Sequence, residues 1–451
     1  MKKLYKFSAF AAVLMSASLA SCTHEEADIF EESAANRTEM ARKAYREILL
    51  DKGGKWQMEY FTTEEEHGYV YLFTFRNDGS VTISGHNEYI GMLTDPSAKS
   101  TYGSETSLWT ILSDNGPVLS FNSYNNIFHL FASPEDIPNT ERDEQGYGHS
   151  GDYEFDLMDY RNDTLHLEGK KHGAKIIMTR VDAAIDDEIY MNEVVAMADS
   201  FFNAKIPTVY VNLPGGYRHI VLNGASQLPK FYPETGDYIT EWVGRNAIIT
   251  HDGFTLGKPL TLCDSIDGNH YTVQHFIRQD DGSLLCTDDG VTTITADALN
   301  KVATDSTLCW RFDPATSVGE LGESFTAFTK GLTEYNGSSL QYMNFGTTVI
   351  GNTKYIKKLF FRLKLKKAGQ YLNISQAYEV ERIGKDQFRF VLGEMDKNMA
   401  QYVSKVPAFQ AFIDKLGSTT FKCSSSSLLA PICIKLADSQ NESSALYINV
   451  Q

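Results

Sequence analysis

The chain has 451 residues, 42% hydrophobic and 22% charged, enough to bury a sizeable core and long enough for two or three domains. A formal net charge of -17 argues against non-specific nucleic-acid binding and opposes adhesion to anionic lipid, so no nucleic-acid partner is expected. Aromatic residues at 12% suit β-rich packing.

Lys2, Lys3 and Lys6 give a positive start, and Phe7 to Thr23 carry no charge. The run is short of the roughly 20 apolar residues of a transmembrane helix and fits the apolar core of a secretory signal. It ends on Leu19-Ala20-Ser21-Cys22, which resembles the bacterial lipobox, where the cysteine is diacylated and becomes the first mature residue. Residues 1–21 are therefore read as a lipoprotein signal peptide and Cys22 as the lipidation site, with the lipid bilayer as its partner. Cleavage by general signal peptidase at an Ala-x-Ala-like site is the alternative. At about 0.8 kcal/mol per buried methylene, two or three acyl chains anchor stably. Residues 22–35 form an acidic tether with Glu25, Glu26, Asp28, Glu31 and Glu32. Acidic residues behind the cysteine resemble the surface-export signal of Bacteroidota lipoproteins. The expected location is the outer membrane, lipid-anchored at the cell surface, with a periplasm-facing position as the alternative.

Three stretches have helical spacing. In Asn36–Lys52, Met40, Ala44 and Ile48 with Ala41, Tyr45 and Leu49 form one apolar face, and Gly53-Gly54 supplies a left-handed stop. In Asp186–Asn203 the stripe is Tyr190, Val194, Met197, Ala198 and Phe201, with Asp186, Asp187 and Glu188 at the positive end of the dipole. In Val406–Leu416, Pro407 sits in the first turn and Val406, Phe409, Ile413 and Leu416 make the face.

The rest alternates with period two. Tyr69, Tyr71, Phe73 and Phe75 lead through Asn77-Asp78-Gly79 into Val81-Thr82-Ile83. Leu108–Leu112 is expected to pair with Val118–Phe121, and strands follow at Tyr153–Leu157, Thr164–Leu167 and Lys175–Met178. Further hairpins are read at Ile248–Leu256, Thr272–Leu285 and Tyr378–Val391, and Leu446–Val450 closes the chain. Such spacing predicts a mainly β fold with minor α: antiparallel barrel or sandwich modules with short packing helices. Gly54-Lys55-Trp56 after a helix makes the first module resemble lipocalin-like barrels, with Trp56 buried at its base. Residues 36–182 are read as an N-terminal helix plus this lipocalin-like module, and residues 183–451 as a larger, strand-rich α+β module.

Few residues point to chemistry. Beyond Cys22 remain Cys263, Cys286, Cys309, Cys423 and Cys433, an odd number without Cys-x-x-Cys. Free thiols are expected over pairing of Cys423 with Cys433 or Cys263 with Cys286. Gly146-Tyr147-Gly148-His149-Ser150-Gly151 matches the dinucleotide fingerprint in letters, but a strand follows where that motif needs a helix. His270 and His275 fall on opposite sides of a strand, and His166 and His172 flank a tight turn. Asp264, Asp267, Asp280, Asp281, Asp288 and Asp289 fit β-turns better than a calcium loop. No catalytic residue, cofactor or metal is assigned. The basic run Lys354, Lys357, Lys358, Arg362, Lys364, Lys366 and Lys367 reads first as a solvated sheet face, then as a docking patch for an acidic partner or an anionic glycan.

Four stretches together resemble the DUF4302 family of uncharacterised Bacteroidota lipoproteins: Lys55-Trp56-Gln57-Met58-Glu59-Tyr60, Gly148 to Phe155, Leu167-Glu168-Gly169-Lys170-Lys171 and Thr250-His251-Asp252-Gly253-Phe254. The resemblance implies an accessory near SusC/SusD-like uptake proteins and supplies no catalytic residue. The expected function is non-catalytic binding or assembly in the uptake of a glycan or peptide. A lipid-anchored hydrolase with dispersed catalytic carboxylates is the second expectation, and a lipocalin-like carrier of an apolar ligand the third.

Overall fold

The structure is a computed structural model that describes residues 33–62, 66–92, 100–132, 149–201, 205–206, 208–223, 229–235, 243–244, 246–367 and 369–451. The signal peptide, Cys22 and most of the acidic tether lie outside the described residues. Strand clearly exceeds helix, in antiparallel sheets of barrel or half-barrel shape with a few short helices.

Helix α1 (Ala34–Leu50) begins behind Ser33, whose hydroxyl accepts the Asn36 amide at 3.2 Å. Its buried face is narrower than the spacing predicts. Leu49 is buried and Tyr45 and Ile48 pack against the first core, whereas Met40 and Ala44 face solvent. The helix stops at Leu50 with Asp51 extended, short of the expected Lys52, and the left-handed glycine instead caps the short 3-10 turn Asp51–Gly53 that follows. Gly54 has φ +67°, and a Cβ there would run into the Phe75 carbonyl, whose own amide bonds the Gly54 carbonyl at 2.8 Å.

Strands β1 (Lys55–Phe61), β2 (Tyr69–Phe75) and β3 (Ser80–Asn87) follow, then short α2 (Glu88–Met92). They are joined by β4 (Thr101–Leu108), β5 (Thr110–Ser113), β6 (Pro117–Ser120), β7 (Glu154–Arg161), β8 (Thr164–Gly169) and β9 (Lys175–Arg180). The sheet order is β4-β3-β2-β1-β9-β8-β7-β6-β5. Its edges, β4 and β5, are separated in the chain by Trp109 alone. One bent strand thus borders both edges, and the sheet curls into an up-and-down barrel. The Leu108–Leu112 hairpin arm is accordingly split: Leu108 pairs with Ser80, while Ile111 pairs with Leu119. Aromatic rings fill the interior, with Phe128 within 6.1 Å of Tyr60, Tyr71, Phe73, Phe121 and Phe155. Trp56 is fully buried; its indole donates to the Leu49 carbonyl at 2.9 Å, and the Arg180 guanidinium lies 4.2 Å over its ring.

Helix α3 (Asp187–Phe201) leads to a second sheet. It comprises β10 (Val209–Asn212), β11 (Arg218–Asn223), β12 (Pro229–Pro233), β13 (Val243–Gly244), β14 (Ala247–Ile249), β15 (Gly253–Cys263), β16 (His270–Arg278), β17 (Leu284–Cys286) and β18 (Thr293–Ala296). The order β13-β12-β11-β10-β18-β17-β16-β15-β14 repeats the first pattern, and the edges β13 and β14 are again consecutive in the chain.

Short α4 (Leu299–Ala303) precedes a third unit: β19 (Cys309–Val318), α5 (Gly319–Asn336), β20 (Ser339–Gly346) and a side hairpin of β21 (Thr348–Ile350) and β22 (Thr353–Tyr355). It continues through β23 (Lys358–Lys364), β24 (Tyr371–Arg382), β25 (Gln387–Met395), α6 (Lys397–Lys405), α7 (Pro407–Ser418), β26 (Thr420–Ser425), β27 (Cys433–Asp438) and β28 (Asn441–Val450). Eight strands close this barrel, β28 pairing back onto β19. Helices α5 and α7 pack into the same core: the Phe328 ring stacks 4.2 Å from Phe409 and 5.3 Å from Phe412, and meets Phe361 of β23 edge-on at 5.8 Å. Trp310 repeats the Trp56 device, buried on the first strand with its indole donating to Val302 at the end of the preceding helix, 3.2 Å away.

Residues 183–451, grouped as one module from the sequence, thus hold two barrels with their own cores. The helix expected at Asp186–Asn203 is α3, whose last two expected residues lie outside the described residues, and the one expected at Val406–Leu416 is α7. Helices α2, α4, α5 and α6 lie outside the three stretches of helical spacing.

Candidate functional site

Alternation along β1 sends Trp56, Met58 and Tyr60 into the first barrel and Lys55, Gln57, Glu59 and Phe61 outward. Outward normally means solvated, yet all seven residues of β1 are buried. The cover comes from α3 and the second barrel: Phe61, Val70 and Leu72 pack with Tyr190, Met191, Val194 and Ile248. The Lys55 ammonium bonds Asp187 at 2.6 Å and also the Ile185 carbonyl, and the Ser84 hydroxyl holds the other Asp187 oxygen at 2.7 Å. These contacts pin the start of α3. One turn on, the Tyr190 hydroxyl donates to Gln57 Oε1 at 2.7 Å, which turns the Gln57 amide nitrogen toward Glu59 Oε1 at 3.3 Å.

Past Glu59 the two barrels diverge and leave a cleft of about 490 Å³, bordered by Thr179 and Tyr190 on one side and by His251, Asp252 and Phe276 on the other. An adjoining recess of about 290 Å³ shares Glu59, Thr179 and His275 and reaches His166 and Arg161. His251 and Asp252 come from the β14–β15 turn; the His251 ring lies 4.3 Å from Tyr190, and Asp252 accepts the Thr250 hydroxyl at 2.9 Å. Burial pushes the Glu59 carboxyl up to about 7, the negative Asp252 adds to that, and the Gln57 hydrogen bond opposes it. Burial, Asp252 and Glu59 likewise raise the Tyr190 phenol. At neutral pH the cleft therefore offers one carboxyl near its midpoint beside a second carboxylate. Perturbed carboxyls in clefts mark binding and proton-transfer sites.

Cys22 lies outside the described residues, as do Gly146, Tyr147 and Gly148 of the glycine-rich loop. His149 is buried, with Nδ1 2.7 Å from Glu66, and strand β7 follows rather than a helix. All five remaining cysteines are free: Cys423 faces Leu436, Cys433 faces Asn449 and Cys263 faces His270. The turn aspartates serve their own backbone. Asp264 accepts the Ile266 and Tyr217 amides, Asp281 that of Ser283, and Asp289 those of Val291 and Thr292. His275 pairs with Asp288 at 2.9 Å, and His166 lies 3.8 Å from Asp159. In the basic run, Lys357 pairs with Glu379 at 3.0 Å and Arg362 lies 4.6 Å over Tyr371. Among the described residues no group of three or more His, Cys, Asp or Glu could hold a metal ion, and no helix is long and apolar enough to cross a membrane.

A second cleft of about 490 Å³ separates the second and third barrels. Its charges are largely matched, Lys301 to Asp297 at 3.4 Å and Lys357 to Glu379. The Glu59 cleft has no such balance.

The family model of a domain of unknown function, DUF4302, matches residues 26–277, which takes in the first barrel, α3 and the second barrel as far as β16. Both walls of the Glu59 cleft fall inside it. No curated protein matches. A solved structure of an uncharacterised protein from Bacteroides eggerthii DSM 20697 is 16% identical, over 29% of this chain and 100% of its own, with a TM-score of 0.18, too low to carry an argument.

Proposed function

The chain belongs to the DUF4302 family, and on that premise we propose a non-catalytic binding protein, lipid-anchored through Cys22 at the outer-membrane surface, that takes a glycan or peptide for uptake, alongside SusC/SusD-like proteins. One observation carries the binding part. The interiors of the first and third barrels are packed with rings, whereas Glu59, Gln57, Tyr190, His251 and Asp252 gather in an open cleft between barrels. Packed barrels leave the apolar-carrier reading without support in those two interiors. The anchor and its location rest on the lipobox and the acidic tether.

The hydrolase reading has the Glu59–Asp252 pair in its favour, since hydrolysis of glycosidic bonds uses two carboxyls with separated acidities. The test covers both. The full chain is probed on oligosaccharide and peptide arrays beside a Thr179→Trp variant that fills the cleft. Binding without turnover, lost in the variant, is expected. Binding untouched by the variant refutes the site, and turnover abolished by Glu59→Gln replaces the binder with the hydrolase.

A further inference from the structure

We propose that the cleft between the first two barrels seats a positively charged peptide side chain, lysine or arginine, between Glu59 and Asp252. The proposal rests on the binding reading above and narrows its ligand from glycan or peptide to a basic peptide.

Glu59 and Asp252 lack a cationic partner of the lysine or arginine type among the described residues. Other shielded acids are matched, Asp187 by Lys55 and Asp297 by Arg218, while the buried Asp152 and Asp264 accept two or more backbone amides each. Glu59 is 8% exposed, and its polar contact is the neutral Gln57 amide. Asp252 has the Thr250 hydroxyl and, 3.5 Å away, His251. Among the described residues neither carboxyl reaches a lysine or arginine. Ionising the buried Glu59 beside Asp252, whose side chain is 60% exposed, is unfavourable unless a cation joins the two.

The cations bordering the cleft are committed elsewhere. The Arg180 guanidinium donates to the Ile48 and Asp51 carbonyls from its place over Trp56. Arg161 pairs with Asp159 at 3.5 Å, His166 sits beside the same carboxylate, and His275 holds Asp288. Asp182, a third acid on the border, caps the Ala184 amide. His251 Nδ1 is buried without a hydrogen-bond partner, and its ring stacks on Tyr190.

The walls suit a stem that ends in a charge. Ile185 and Ile277 are 38% and 43% exposed at the border, and the Tyr190 and Phe276 rings lie deeper. A lysine or arginine side chain lays its methylenes along such apolar surface and sets its head against the acids. A neutral glycan can offer hydroxyl donors to these carboxyls but brings no positive charge to offset them.

A bound cation favours the ionised form of Glu59, so binding below neutrality must displace the proton that the empty site holds. Affinity should therefore rise with pH, by up to about tenfold per unit, and level off above about 7.

The test is calorimetric titration of the full chain with blocked Ala-Xaa-Ala tripeptides in which Xaa is lysine, arginine, norleucine or glutamate. We expect lysine and arginine peptides to bind at least about tenfold more tightly than norleucine, a difference of one pKd unit. Proton release should appear as heat that depends on buffer ionisation. Asp252→Asn should weaken lysine-peptide binding by a similar factor. Glu59→Gln should weaken it too and remove its pH dependence without loss of stability. Equal binding of the norleucine peptide, blocked by Thr179→Trp, overturns the cation site and leaves the binding reading standing. Lysine-peptide binding that ignores Thr179→Trp overturns both, and absence of binding by all four tripeptides overturns the cation site.

Discussion

Glu59→Gln is the sharpest perturbation because the structure gives its sign and size. The folded-state carboxyl titrates near 7, against an ordinary value of 4.5. Below 4.5 it is protonated folded or unfolded, and the site costs nothing. As pH climbs from 4.5 through 7 the unfolded chain gives up the proton first, so stability drains away, and above 7 the loss is complete. Two and a half units at 1.36 kcal/mol each amount to about 3 kcal/mol. Glutamine keeps the Gln57 contact and cannot ionise. The variant should match the natural chain at pH 4.5 and exceed it by about 3 kcal/mol at pH 8. Hydrogen exchange of β1 and β2 amides, corrected for intrinsic rates, reads the first barrel apart from the other two. Equal protection of the two chains at pH 8 would refute the reasoning. A carboxyl kept at such a cost is better explained by a ligand than by the fold.

Trp56→Ala should cost about 3–5 kcal/mol, since it empties a buried site and orphans the Leu49 carbonyl; denaturant unfolding of the first barrel checks it. Phe328→Ala should cost a similar amount in the third barrel, because its ring holds Phe409 and Phe412 of α7 against Phe361; loss of near-ultraviolet dichroism at lower denaturant is the readout. Asp396→Ala removes the cap that accepts the Met399 amide at 2.8 Å and should cost about 1–2 kcal/mol by thermal unfolding. Cys22→Ala should abolish palmitate incorporation, and undiminished label would end the lipobox reading.

Much of the fold was legible because period-two runs separated by Asp-Gly and Asn-Gly turns are a local signal, and both α3 and α7 announce themselves at 3.6 spacing. The sequence did not reveal how many sheets those strands build. Closure depends on pairings such as Trp56 with Arg180 and Trp310 with Val450, and nothing local encodes them. Helix α5 is weakly signalled although Leu321, Phe325, Phe328 and Leu332 have helical spacing. Gly322, Gly331, Thr326 and Thr329 depress its propensity, and packing against α7 and the barrel overrides them. The cleft was hidden for a related reason. Gln57 and Glu59 look like a solvated strand face until α3 and the β14–β15 turn cover them. Their only sequence signal was that Lys55–Tyr60 and Thr250–Phe254 both carry the family resemblance.

Ligand is proposed to bind between the first and second barrels. Hydrogen exchange of the full chain, with and without the tightest ligand from the arrays, tests it most directly. Protection should concentrate at residues 57–59, 179–181, 250–255 and 275–277, on both walls of the Glu59 cleft. Protection confined to the cleft between the second and third barrels, around Lys301 and Glu379, would contradict it.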